Sequence, residues 1–160
     1  MAPRMPLTWF AGFNHCPQQW IIPMPIAMIQ TDGSFHQSTR SGAVAAILDL
    51  PTGSVHKYVQ PLPTLISSTE AEWASVFYGI SLAHQMNQPI VGLENDCLGI
   101  VRSILFNSPG KHDYAKYYNY KIHRLGRELE WCGIRWIPRA ENKSDALFRS
   151  LKSNAMKELK

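Results

Sequence analysis

Apolar residues fall along this chain in short runs whose period switches between two and about three and a half, which predicts strands alternating with amphipathic helices. The run from Ile26 to Thr31 reads as a buried strand that finishes on Asp32-Gly33-Ser34. A polar turn over His36 to Arg40 separates it from a second strand, Gly42 to Leu48. Pro51-Thr52-Gly53-Ser54 closes a hairpin onto a third strand, Val55 to Leu62, so the first three strands make an antiparallel meander. From Glu70 to Met86, Trp73, Val76, Phe77, Ile80, Leu82 and Ala83 recur at three- and four-residue steps, which predicts a long helix capped by Ser68 or Thr69. Asn87-Gln88-Pro89 breaks that helix. Ile90 to Leu93 is a fourth strand, ending on Glu94-Asn95-Asp96, and Cys97 to Phe106 is a second helix with Leu98, Val101, Ile104 and Leu105 inward. A third helix over Tyr114 to Trp131, a fifth strand over Ile134 to Pro138 and a last helix from Ser144 to Leu159 complete the series.

A meander followed by alternating strands and helices predicts an α/β fold, a mixed five-stranded sheet with helices on both faces. Residues 1–25 break the pattern: five prolines and the rings of Trp9, Phe10, Phe13 and Trp20 read as an extended arm that packs on the rest. The expected division is an arm over 1–25 and one domain over 26–160. With 160 residues the chain is long enough to close a core without disulfides or structural metals. Its apolar runs fall well short of the roughly 20 residues that span a bilayer, so no membrane partner is expected. The cysteines, Cys16, Cys97 and Cys132, are odd in number and widely spaced, which argues for free thiols in a reducing, cytoplasmic setting and against zinc. The six histidines lack metal-ligand spacing. A formal charge of +4 permits a polyanionic partner without demanding one.

Asp32 alone has two readings. Asp-Gly is a common turn dipeptide, yet a buried strand that ends on an acid also presents its carboxylate to a site. Right-handed crossovers allow the first and fourth strands to lie side by side, which makes Asp32 and Asp96 neighbours. Glu72, early in the first long helix, and Asp145, at the start of the last, reach the same sheet end. Four carboxylates there repel one another unless cations intervene, and hard oxygen ligands suit Mg²⁺ or Mn²⁺. As the competing reading, Asp96 and Asp145 merely cap the helices that follow them.

Thr-Asp-Gly-Ser at 31–34, Thr-Glu-Ala-Glu-Trp at 69–73, Glu-Asn-Asp-Cys at 94–97 and Glu-Asn-Lys-Ser-Asp-Ala-Leu at 141–147, taken in that order, resemble ribonuclease H, type 1. The resemblance implies a ribonuclease H-like sheet in the order 3-2-1-4-5. It also implies a catalytic, metal-binding quartet of Asp32, Glu72, Asp96 and Asp145. Glu72 is preferred to Glu70 because the family pattern sets this acid directly before an apolar or aromatic residue, here Trp73. The implied activity is endonucleolytic hydrolysis of the RNA strand of an RNA–DNA hybrid by two Mg²⁺ or Mn²⁺ ions. One ion would activate water and the other would stabilise the leaving 3′ oxygen, giving 5′-phosphate and 3′-hydroxyl ends. No small-molecule cofactor and a monomeric state are expected.

Discrimination of RNA requires contacts to 2′-hydroxyl groups in a shallow minor groove. Candidates are Gly33, Ser34, Ser67, Ser68, Thr69 and Asn95. Two features depart from the family's better-known members. The loop over Ile137 to Asn142 has no histidine, which leaves Arg139 as a candidate phosphate contact, and the short link between the second and third helices has no room for an extra basic helix. Lys116 and its basic neighbours Lys111, Lys121 and Arg124, interleaved with tyrosines, are candidates for gripping phosphate instead. In lacking the histidine the chain is similar to archaeal-type and retroelement branches. Competing readings are a domain of retroelement reverse-transcriptase origin, a non-catalytic hybrid- or duplex-binding module, and a different nuclease on the same sheet.

Overall fold

The structure, a computed structural model, describes residues 25–65 and 67–150. Five strands, β1 (Ala27–His36), β2 (Ser41–Asp49), β3 (Val55–Leu62), β4 (Ile90–Asn95) and β5 (Trp131–Trp136), form one sheet in the order β3-β2-β1-β4-β5. β1, β2 and β3 pair antiparallel, whereas β4 lies parallel to both β1 and β5. The expected mixed sheet and strand order are therefore present. Helices α1 (Ser68–Gln85), α2 (Leu98–Leu105) and α3 (Asp113–Glu128) connect the later strands. Among the described residues, no helix is long and apolar enough to cross a membrane.

Alternation along the strands decides which residues become core. Ile29 on β1, Leu48 on β2, Leu93 on β4 and Ile134 on β5 point to one face, where they meet Trp73, Val76 and Ile80 of α1 and Ile100, Val101 and Ile104 of α2. Burial of each such side chain stabilises the fold by about 1.5–3 kcal/mol relative to exposure. The opposite face carries Met28, Gln30, Ile47 and Glu94, and a helical stretch over 145–150 lies across it through Ala146, Leu147 and Ser150. Helices thus cover both faces.

Several boundaries differ from the sequence expectation, each for a tertiary reason. β1 does not finish at Asp32 but continues to His36, because Asp32 to His36 pair with Ala45 to Ser41 of β2. Pairing with β4, by contrast, stops at Thr31 opposite Asn95. The cap of α1 is Ser67, not Ser68 or Thr69; its Oγ accepts from the Glu70 amide at 3.2 Å. Leu98 is exposed while Ile100 is buried, so the inward face of α2 is rotated from the expected one. α3 ends at Glu128, and Trp131 with Cys132 opens β5, since both pair with β4 and the Pro89 carbonyl receives the Glu130 and Trp131 amides. Helical periodicity alone could not see that pairing. The expected arm lies, apart from Pro25, outside the described residues, as does the last helix beyond Ser150.

Candidate active site

The divergence of β1 and β4 shapes the site. Where β1 loses β4 after Thr31 but keeps β2, Asp32 stands on a rigid strand at the mouth of the gap, and Asp96 follows immediately after β4. α1 runs back along β1 and closes the third side. A Cβ built on Gly33 would lie 2.4 Å from the Ala71 carbonyl oxygen and 2.8 Å from the Glu72 amide nitrogen, so a bare backbone at 33 is what lets Glu72 sit beside Asp32. Gly79 permits the second close approach, with its Cβ position 2.5 Å from Thr31 Cγ2.

Asp32, Glu72 and Asp96 each contribute a carboxylate oxygen to a cluster in which these atoms all lie within 4.8 Å of one another. Glu70 is not in that cluster. Nor is Asp145, which lines the same open cleft of about 500 Å³ with Gly33, Ser34, Phe148 and Arg149. Its carboxylate receives Arg149 Nη2 at 3.3 Å and lies 3.8 Å from Arg139 Nη2. Neither competing cap reading matches these positions. The cap of α2 is Cys97, which makes no side-chain bond, and Asp145 is itself the first residue of its helical stretch.

The cluster is electrostatically uncomfortable. Burial, then the Asp96 and Asp145 charges, push the Asp32 carboxyl up to about 7. Burial, then Asp32 and Asp96, push Glu72 up to about 8. Asp96 is raised as well, chiefly by burial. The side-chain hydrogen bond between the two raises Glu72 and lowers Asp32, so it favours the protonated form of Glu72 and the ionised form of Asp32. A set of hard oxygens that repel one another, eased by the Arg139 charge only at Asp96 and Asp145, fits divalent cations such as Mg²⁺ or Mn²⁺.

This arrangement predicts how the metal-free protein responds to pH. Unfolded Asp and Glu ionise near pH 3.9 and 4.3. Between about pH 4 and 8 the folded protein therefore holds protons that the unfolded chain has released, so stability falls as pH rises. Thermal unfolding in chelator should show a midpoint lower by about 10 °C at pH 8 than at pH 5, with millimolar Mg²⁺ or Mn²⁺ restoring most of the difference. A midpoint that rose with pH in chelator would contradict the clustering of the acids.

A buried polar frame holds the acids in place. Asn95, expected at the substrate, is fully buried instead. Its Nδ2 donates to the Thr31 carbonyl and hydroxyl, each at 3.1 Å, and to Glu72 Oε2 at 3.4 Å, while its Oδ1 accepts the Cys97 amide at 2.8 Å. It therefore positions Glu72 and starts α2, and it has no free face for a 2′-hydroxyl. Asn142 and Ser144 were not singled out from the sequence. Asn142 Nδ2 donates to the Thr31 carbonyl at 2.9 Å, its side chain also bonds Asp96, and its Oδ1 accepts from Ser144 Oγ at 2.5 Å. The Asn-Lys-Ser spacing directly before Asp145 was the available signal. Gln30 completes the frame by accepting the Lys143 amide at 2.9 Å and donating to the Glu141 carbonyl at 3.2 Å. Glu94 points away, paired with Arg135 at 2.5 Å.

The remaining candidates scatter. Ser67 and Ser68 line a neighbouring hollow with Phe35, Gln37 and Arg40. Thr69 and Lys116 are exposed on α1 and α3, and Arg139 sits at the cleft rim with its side chain 80% exposed. Arg40, the last residue of the turn between β1 and β2, carries no sequence signal for this role; its left-handed backbone (φ 51°) and the Leu65 amide on its carbonyl fix that turn beside α1.

A 3-2-1-4-5 sheet with carboxylates gathered where β1 and β4 part defines a ribonuclease H-like fold. Its sequence agrees: the model of the reverse transcriptase-like family matches residues 30–147, and the chain belongs to that family. Among solved structures, the chain is similar to the N-terminal RNase H domain of Rv2228c from Mycobacterium tuberculosis, with a TM-score of 0.71 at 17% identity over 84% of this chain and 99% of that one. It is also similar to RNase H1 from the archaeon Halobacterium salinarum, with a TM-score of 0.67 at 17% identity over 76% and 93% of the two chains. A third is LC11-RNase H1 from compost, solved with an RNA/DNA hybrid, with a TM-score of 0.66 at 18% identity over 76% and 92%. No curated protein matches the chain significantly in sequence.

Proposed function

We propose that the protein is a divalent-metal-dependent endonuclease that hydrolyses the RNA strand of RNA–DNA hybrids, leaving 5′-phosphate and 3′-hydroxyl ends. The observation that carries this reading is the convergence of Asp32, Glu72 and Asp96 oxygens within 4.8 Å on the floor of an open cleft. Two Mg²⁺ or Mn²⁺ ions, held by these acids with Asp145 at the rim, would supply the positive charge that favours attack by water and departure of the 3′ oxygen. The chain's own groups set the geometry. Asp32 is oriented by the Gly33 amide, 3.0 Å from its Oδ1, and Glu72 and Asp96 by Asn95 and Asn142. Gly33 and Ser34, on the cleft wall, offer backbone groups to the 2′-hydroxyls beside the scissile bond.

Phosphate is held outside that centre. The hollow of Gln37, Arg40, Ser67 and Ser68 sets a guanidinium and a hydroxyl beside the start of α1, whose first amides favour anions. Arg139 and Arg149, exposed at the opposite rim, are placed to meet the other flank of the strand. The similarity of LC11-RNase H1, solved with a hybrid, supports this substrate class. The reverse transcriptase-like family favours a second reading on the lineage, a domain of retroelement origin with the same chemistry.

A substrate panel tests the activity. With Mg²⁺ or Mn²⁺, cleavage should be confined to the RNA of an RNA–DNA hybrid, with RNA–RNA, DNA–DNA and single strands intact, and EDTA should stop it. Arg40→Ala should weaken hybrid binding and reduce the slope of log affinity against log salt by about one unit. Cleavage of duplex DNA, or none of any substrate, sinks the proposal; an unchanged slope removes Arg40 from it.

A further inference from the structure

The third helix distributes four tyrosines in a way that core packing does not explain. Tyr114 and Tyr118 turn inward and pack against the main core, Tyr118 with its ring 5.8 Å from that of Phe77. Tyr117 and Tyr120 turn outward and remain 53% and 58% exposed. Helical geometry places these two rings one turn apart on the same face, about 4.5 Å along the axis. Large aromatic rings left together in solvent mark interaction surfaces more often than chance placement.

The charges around them narrow the partner. Between Tyr114 and Arg127 the helix carries Lys116, Lys121, Arg124 and Arg127 and no acid. Lys121 Nζ lies 5.5 Å from the centre of the Tyr117 ring. The acids of α3 sit at its two ends: Asp113 in the first turn, and Glu128 in the last, where it is engaged by His84 at 2.9 Å and Arg124 at 4.0 Å. The start of this helix lies against the phosphate hollow, because Ser67 Oγ donates to the Tyr114 hydroxyl at 3.4 Å.

We infer that the outer face of α3, centred on Tyr117 and Tyr120, is a docking surface for an unpaired nucleic-acid strand that extends from the hybrid in the active site. The inference rests on the hybrid-nuclease reading for the duplex to which that strand is joined. Cations alone would serve any phosphate backbone. Exposed ring faces add affinity only where bases are unstacked and can lie on them, which a duplex forbids and a single strand allows. An acidic protein surface would satisfy the lysines and arginines but not the two exposed rings.

Binding in EDTA separates the two readings. Fluorescence anisotropy would compare a blunt RNA–DNA hybrid, the same hybrid with a six-nucleotide oligothymidine extension, and oligothymidine alone. The extension should tighten binding roughly tenfold in the unmodified protein. Tyr117→Ala/Tyr120→Ala should erase that gain and weaken oligothymidine binding, yet leave blunt-hybrid affinity, and blunt-hybrid cleavage once Mg²⁺ is supplied, unchanged, with only a small fall in the thermal midpoint from loss of the 5.2 Å edge contact between Tyr117 and Tyr118. Tyr117→Phe/Tyr120→Phe should retain the gain. The inference is overturned if the extension adds nothing, or if the alanine variant keeps the full gain. Failure of both proteins to bind or cut the blunt hybrid would instead count against the nuclease reading, with oligothymidine alone still judging the ridge.

Discussion

Asp32→Asn should lower the rate of hybrid cleavage by roughly 10³-fold or more, and the same substitution should make the metal-free protein more stable. The first effect follows from removing the carboxylate placed centrally among the acids, at a position where charge on the reacting phosphate must be met. The second follows from electrostatics. At pH 8 Asp32 is ionised, only 7% exposed and close to Asp96 and Asp145, so an isosteric amide relieves a folded-state penalty on the order of 2–4 kcal/mol. The variant's stability in chelator should also fall less between pH 5 and 8 than that of the unmodified protein. A gain in stability with loss of activity is the signature of a residue held under electrostatic strain for function, so the pair of results together is diagnostic. A variant that cut at the normal rate, or was destabilised in chelator, would show that Asp32 is not at the centre of the cluster.

Gly33→Ala should cost about 3 kcal/mol of stability and reduce cleavage by roughly 10²-fold even well below its unfolding midpoint. The added methyl would meet the backbone of Ala71 and Glu72, and backbone in the second turn of a packed helix cannot swing aside as a side chain would. Relief requires α1 to move away from β1, which carries Glu72 away from Asp32 and loosens the contact of Gly79 with Thr31. Urea unfolding followed at constant m-value gives the stability change, and single-turnover cleavage gives the chemical defect. A Gly33→Ala protein with ordinary stability and turnover would mean that the strand and helix are not held at this distance.

These two residues illustrate different degrees of legibility. Asp32 was visible in the sequence as an acid interrupting an apolar run, though only in company with Glu72, Asp96 and Asp145. Gly33 is legible in the sequence as a turn-like partner of Asp32 and a candidate contact to the RNA strand, but not as the contact point between β1 and α1. Asn95 was read as a substrate contact because small polar residues near acids invite that reading. Its burial gives it the different task of holding Glu72 and Thr31. Asn142 carries no local signal because its partner is remote in sequence, Thr31 lying 111 positions away, and Ser144 acts through Asn142.

Hydrophobic periodicity, with the turn residues between runs, determined the number, type and order of the strands and α-helices over the described residues, since burial of one face imposes a period of two on strands and of about 3.6 on helices; the short 3-10 helix over Arg139–Glu141 carries no such signal. The chemical types and order of the four acids likewise came from the sequence, and with them the resemblance to ribonuclease H. Only the tertiary structure decided where β1 ends, that Trp131 belongs to a strand and that Ser67 is the cap of α1. It alone showed that three acids share one cluster while Asp145 stands at the rim with Arg149. The physical reason is the same in each case: strand pairing, close backbone approach and buried hydrogen bonds join residues far apart in the chain, and no local pattern encodes the partner.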